Sequence, residues 1–154
     1  MEYTVRAARI TDVERLVAMS GDRIGARGWA QHDAADLMRQ LVFLPHATIL
    51  VVERRREIVG GAILAIRPSV AAGGYIGAID LLVVDAGGDG DEVTGLLLDE
   101  VLRSAANKGC ASVEAALPAD PTERARWEAR GFDETGPRLG REVAPAGAGG
   151  RRAR

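Results

Sequence analysis

Apolar and polar positions alternate over YTVRAAR (residues 3–9), a run rich in β-forming side chains, which predicts a first strand. Beyond Thr11 the period lengthens, and Val13, Leu16 and Val17 recur at helical spacing, predicting a short helix over 12–19. Thr11 and Glu14 stand in the capping-box arrangement, in which a hydroxyl takes one orphan amide and a carboxylate returns to another. SGDRIGARG (20–28) is punctuated by glycine and reads as loop. A second helix is expected over about 33–42, burying Leu37, Met38, Leu41 and Val42, with Pro45 closing it.

From here the pattern changes to continuous β-branched runs. ATILVVE (47–53) and IVGGAILAI (58–66) predict an antiparallel hairpin, with Arg54, Arg55 and Arg56 as a solvated tip. SVAAGG (69–74) is loop, and YIGAIDLLVV (75–84) is a long strand. AGGDGDE (86–92) is a Gly/Asp loop before a helix over 93–108, where Val93, Leu97, Val101 and Ala105 stand four apart and Gly109 terminates. CASVEAAL (110–117) reads as a strand, and Pro121 opens a last helix that runs to about Arg130. Residues 132–143 have room for one or two final strands. There is no internal repeat.

At 154 residues the expectation is one domain over 1–142, able to bury a core without staples, followed by a disordered Gly/Ala/Arg tail over 143–154. The hydrophobic share of 47% and charged share of 27% are ordinary for a globular protein. Cys110 is the single cysteine, which excludes an intrachain disulfide and makes a cytoplasmic setting the natural expectation. No apolar run approaches a membrane span, and MEYTVRAAR has no signal-peptide core, so no membrane partner is expected. A net charge of −2 gives no reason to expect a nucleic-acid partner. His32 and His46 lack metal-ligand spacing with each other or with Cys110, so no metal is expected; Cys110 itself reads as a small buried hydrophobe.

The order β-α-α-β-β-β-α-β-α-β(-β), with IDLLVV leading into a glycine loop and a final helix ending WEARGF (127–132), resembles the GNAT superfamily of N-acetyltransferases. The resemblance covers roughly residues 3–142 and implies an α+β fold: a mixed, mostly antiparallel central sheet with helices on both faces. It implies that the strands near 47–53, 58–66 and 75–84 are antiparallel neighbours. Strand 110–117 would lie parallel to 75–84, and the two would splay apart to leave a cleft. It further implies acetyl-CoA as co-substrate, a small-molecule or peptide amine as acceptor, and a homodimer as one possible assembly. Backbone groups of Leu82 and Val84 would bond the pantetheine arm, while Gly88, Gly90, Val93 and Thr94 would face the pyrophosphate. Asp80 falls where relatives carry a general base, and Trp29 and His32, near Arg27, fall in the region that shapes the acceptor pocket.

Several positions depart from the family's pattern. The loop signature Arg/Gln-x-x-Gly-x-Gly/Ala aligns with Asp89-Gly90-Asp91-Glu92-Val93-Thr94, placing three carboxylates beside the expected anion. Like charges about 6 Å apart repel by roughly 0.7 kcal/mol in water and about 3 kcal/mol at an effective dielectric near 20, so these acids oppose binding. Alternatively, Asp91 and Glu92 cap the helix with the protein's own carboxylates. A gapped alignment on Gly88-Asp89-Gly90 keeps the glycines but lengthens the turn. Trp127 replaces the tyrosine that protonates the leaving thiolate in many relatives, a proton transfer that indole is unable to make, and reads as packing near Gly131 and Phe132. Asp120 stands where an Asn often touches the cofactor. Asp80 has its own alternative, a structural acid facing solvent or an arginine; as a base it would gain from burial, which raises a carboxyl pKa. Two functions therefore remain: an acyl-CoA-dependent N-acyltransferase, or a non-catalytic module of the same fold that binds or regulates a partner.

Overall fold

The structure, a computed structural model, describes residues 2–24, 31–141 and 143, without the side chains of Asp22, Gln31 and His32. Five strands form one sheet in the order β1-β2-β3-β4-β5: β1 Thr4–Ala7, β2 Ala47–Arg54, β3 Glu57–Ser69, β4 Gly74–Val84 and β5 Cys110–Ala115. Neighbours are antiparallel except β4 and β5, which run parallel. The crossover between those two is the helix α3, Gly90–Asn107, as parallel neighbours require. The other helices are α1 Val13–Ser20, α2 Gln31–Leu41 and α4 Pro121–Glu128. No helix among the described residues is long and apolar enough to cross a membrane.

Because successive strand side chains point to opposite faces, one sheet builds two cores. Leu50 and Val52 join Val93, Leu97, Leu98, Val101 and Trp127 on the α3/α4 face. Ile49 and Val51 join Val13, Leu16, Ala35 and Met38 on the α1/α2 face. Two adjacent glycines of β3 let both layers approach. A Cβ on Gly60 would lie 2.5 Å from Val93 Cγ1, and one on Gly61 would lie 2.3 Å from Leu16 Cδ2.

Several local expectations are corrected. Leu37 is exposed rather than buried, since Ala35 and Met38 supply the inner face of α2. Thr11 does not cap α1; instead the Asp12 carboxylate accepts from the Arg9 amide at 2.8 Å, in a turn of 3-10 helix that precedes α1. Arg54 is more than solvated tip, because it lies over the Tyr3 ring at 5.8 Å and donates to the Gly87 carbonyl. The hairpin turn itself is Arg55 and Arg56, at φ 52° and 68°. Residues 132–141 form no strand, since Gly136, Pro137 and Gly140 interrupt the run. Of the expected tail over 143–154, all but Val143 lies outside the described residues.

Candidate functional site

Of the two parallel strands, β5 is the shorter. Pairing between β4 and β5 ends at Ile79 and Ala115, yet β4 continues five residues further, to Val84. The β3–β4 ladder changes register at the same point: Ile63 faces Leu81 and Leu64 faces Ile79, leaving Asp80 as the extra residue of a β-bulge. A bulge bends its strand and sharpens the twist locally. Asp80 is exposed there and has no hydrogen-bond or ion-pair partner among the described residues. The expectation of a buried Asp80 is therefore corrected, because the residue is exposed at the bulge.

Beyond the bulge, the Asp85 amide donates to Val59 on β3, while the Leu82 carbonyl accepts from Arg23 at 2.9 Å. Since backbone groups alternate sides along a strand, Leu82 and Val84 present theirs to the edge that β5 has left. An open edge of this kind offers donors and acceptors to any extended chain carrying amides.

The loop after β4 is shorter than its sequence predicts, because α3 begins at Gly90 and not at Val93. Asp89 is the reason. Its carboxylate accepts from the amides of Asp91 and Glu92 at 3.1 and 3.2 Å, the N-cap geometry. Other loop amides are also engaged: Gly87 with the Asp85 carboxylate, Gly88 with the Asp85 carbonyl, and Asp89 with the Tyr3 hydroxyl. The helix is thus capped by the chain's own acid, though by Asp89 rather than by Asp91 and Glu92. Val93 and Thr94 turn their side chains inward and are buried, and the Val93 amide closes the first helical turn on Asp89.

Positive charge missing from the loop arrives from α4 and the turn that follows it. Arg126 binds Asp91 at 2.7 Å, and its guanidinium stands 2.5 Å from the place a Cβ on Gly90 would occupy. Arg130 reaches towards Asp99 at 3.6 Å and lies against Gly95 in the same way. A groove of about 660 Å³ runs between the start of α3 and α4, lined by Asp91, Thr122, Arg126 and Arg130 among others. A second cavity of about 590 Å³, between β5, α4 and residues 132–138, is lined by Val113, Leu117, Trp127 and Phe132 and includes none of the β4 edge.

The remaining candidates fall elsewhere. Trp127 is buried and meets Phe132 edge-on at 5.2 Å between ring centres, a packing contact. Asp120 caps α4 by accepting from the Thr122 amide. Burial pushes the Cys110 thiol above its ordinary pKa, with Lys108 acting in the opposite sense, so thiolate is scarce near neutrality. Trp29 and Arg27 lie outside the described residues, and His32 is placed only as a position in the first turn of α2. No group of metal-binding side chains occurs among the described residues. Arg23, Glu123, Arg126 and Arg130 carry no motif that marks them; Arg126 lies on α4 and Arg130 in the turn just after it.

No protein-family model and no curated protein matches the sequence. Solved structures do match over nearly the whole chain. A transcriptional regulator from Bacillus halodurans C-125 superposes with a TM-score of 0.79 at 18% identity, covering 92% of this chain and 100% of that one. An integron cassette protein from the mobile metagenome of Cole Harbour Salt Marsh gives 0.76 at 25% identity, covering 92% and 91%. An aminoglycoside antibiotic 6'-N-acetyltransferase from Acinetobacter baumannii gives 0.74 at 15% identity, covering 94% and 99%. At such identities the likeness establishes the fold, and function has to be argued from the site.

Proposed function

We infer that this chain, whose fold is that of the GNAT acetyltransferases, is an acyl-CoA-dependent N-acyltransferase acting on a small-molecule or peptide amine. The observation that carries the reading is the stretch of β4 beyond Ile79 that β5 does not pair, with an exposed carboxylate at the bulge where that stretch begins. The backbone groups of Leu82 and Val84, which no strand pairs on that side, would hold the pantetheine arm as an added strand. Arg126 and Arg130 would supply the charge for the phosphates that the acidic loop withholds, once Arg126 exchanges Asp91 for the ligand. With acetyl-CoA held there, the amine nitrogen attacks the thioester carbonyl directly. The new C–N bond forms, the C–S bond breaks, and Asp80 takes the proton lost by nitrogen. No activated nucleophile stands among the residues assigned to the site, which accords with direct transfer. Trp127 donates no proton to sulfur, so the thiolate departs without an acid from α4 and acquires its proton from solvent.

A second reading, a non-catalytic module of this fold, is favoured by one specific observation: the Asp89 carboxylate already accepts from the Asp91 and Glu92 amides that would face a pyrophosphate. Calorimetric titration with acetyl-CoA, followed by assay of thiol release with a panel of primary amines, separates the two. Saturable binding with amine-dependent thiol release supports the transferase. Absence of binding at millimolar acetyl-CoA would overturn it and leave the module.

A further inference from the structure

The edge of β4 left open beyond Ile79 has one carbonyl already taken. Arg23, in the turn after α1, donates through Nη1 to the Leu82 carbonyl at 2.9 Å and through Nη2 to Glu123 Oε2, also at 2.9 Å. Leu82 belongs to β4, whereas Glu123 belongs to the first turn of α4, which follows β5. One guanidinium therefore links β4 to the helix beyond β5, from residues 59 and 100 positions away in the chain. The rigid planar fork of arginine suits this task, offering two donors to two acceptors at once.

Resting on the acyltransferase reading, we propose that Arg23 and Glu123 form a latch over the open edge of β4. Arg23 holds the carbonyl that an extended, amide-bearing arm would engage, and the arm binds by displacing it. The contact is built to yield. The Arg23 side chain is 47% exposed and that of Glu123 28%, and ion pairs so open to water are weak. The exchange also leaves nothing unpaired: an incoming amide N–H replaces the guanidinium N–H on Leu82, and the freed guanidinium returns to water. In the closed state the latch satisfies a carbonyl that has lost its neighbouring strand.

The test titrates the parent protein, Arg23→Ala and Glu123→Gln with CoA and, separately, with pantetheine. Pantetheine carries the two amides without the phosphates, so it reports competition at Leu82 apart from any attraction between Arg23 and a polyanion. Both variants are expected to bind both ligands about three- to tenfold more tightly than the parent, with Glu123→Gln showing the smaller gain. Should the parent bind while both folded variants bind equally or more weakly, the latch is wrong and the acyltransferase reading survives. Binding by the variants alone supports latch and reading together. Failure of all three proteins to bind either ligand removes the reading, and the latch with it. If Arg23→Ala does not fold, Glu123→Gln decides, and unchanged affinity there overturns the proposal.

Discussion

Asp80 is an acid in an otherwise apolar strand, visible as such in the sequence, but the bulge at which it is exposed is a property of the β3–β4 register. As the base for the attacking amine, its replacement by Asn is expected to lower the chemical step by about 10²–10⁴-fold, with acetyl-CoA affinity unchanged. Rapid-quench turnover beside calorimetry checks this, and a folded variant acylating at the parental rate eliminates Asp80 as the base. Asp12 illustrates a purely structural acid. Hydrogen bonding from Arg6 is the main force holding its carboxyl below the ordinary range; desolvation opposes it, and the Arg9 amide assists. A carboxyl depressed in the folded state contributes stability that is complete above its unfolded pKa, near about 4, and is lost as pH falls through the lower folded value. Asp12→Asn is thus expected to cost about 1.5–3 kcal/mol near neutral pH and much less in strong acid. Denaturant titrations at neutral pH and below pH 3 measure the difference, and an equal cost at both would refute the linkage.

Elements follow the hydrophobic pattern closely except where a single side chain moves an end. The α3 helix starts three residues before its apolar stripe because Asp89 caps it, an interaction that periodicity does not register. The β2–β3 hairpin was legible from two β-branched runs, yet its turn chemistry runs against preference. Arg55 and Arg56 both adopt positive φ, where a Cβ costs about 1 kcal/mol and where the two-residue turn favours Asn-Gly. Arg55→Asn combined with Arg56→Gly is therefore expected to stabilise the protein by about 1 kcal/mol, read as a shift of the urea midpoint at unchanged slope. An unchanged or lower midpoint would mean that the arginines earn compensating contacts elsewhere.

For the whole molecule, the central fact is that β2 and β3 serve both cores at once. Truncation on either side should then weaken one shared cooperative unit. Leu16→Ala on the α1/α2 face and Leu97→Ala on the α3 face remove side chains that are essentially fully buried, and each is expected to cost about 2–5 kcal/mol. In both variants far-UV circular dichroism and tryptophan fluorescence should melt together; separated transitions would show that the two layers unfold independently.

Element order up to the last helix and the parallel crossover were legible in the sequence itself, because apolar spacing and the handedness of a strand-helix-strand unit are properties of neighbouring residues, whereas helices on both faces of the sheet followed only from the family resemblance. Tertiary structure alone decided where the pairing of β4 with β5 ends, that Asp80 is the bulged residue, and that Arg126 meets Asp91 across 35 positions. It also decided that Arg23 reaches Leu82. The physical reason is common to all of these. A bulge depends on the register between two strands, and an ion pair between distant elements depends on how they pack; neither leaves a period in the chain. The final strands expected over 132–143 failed for a local reason, glycine and proline in the run, that was present in the sequence and outweighed its apolar residues.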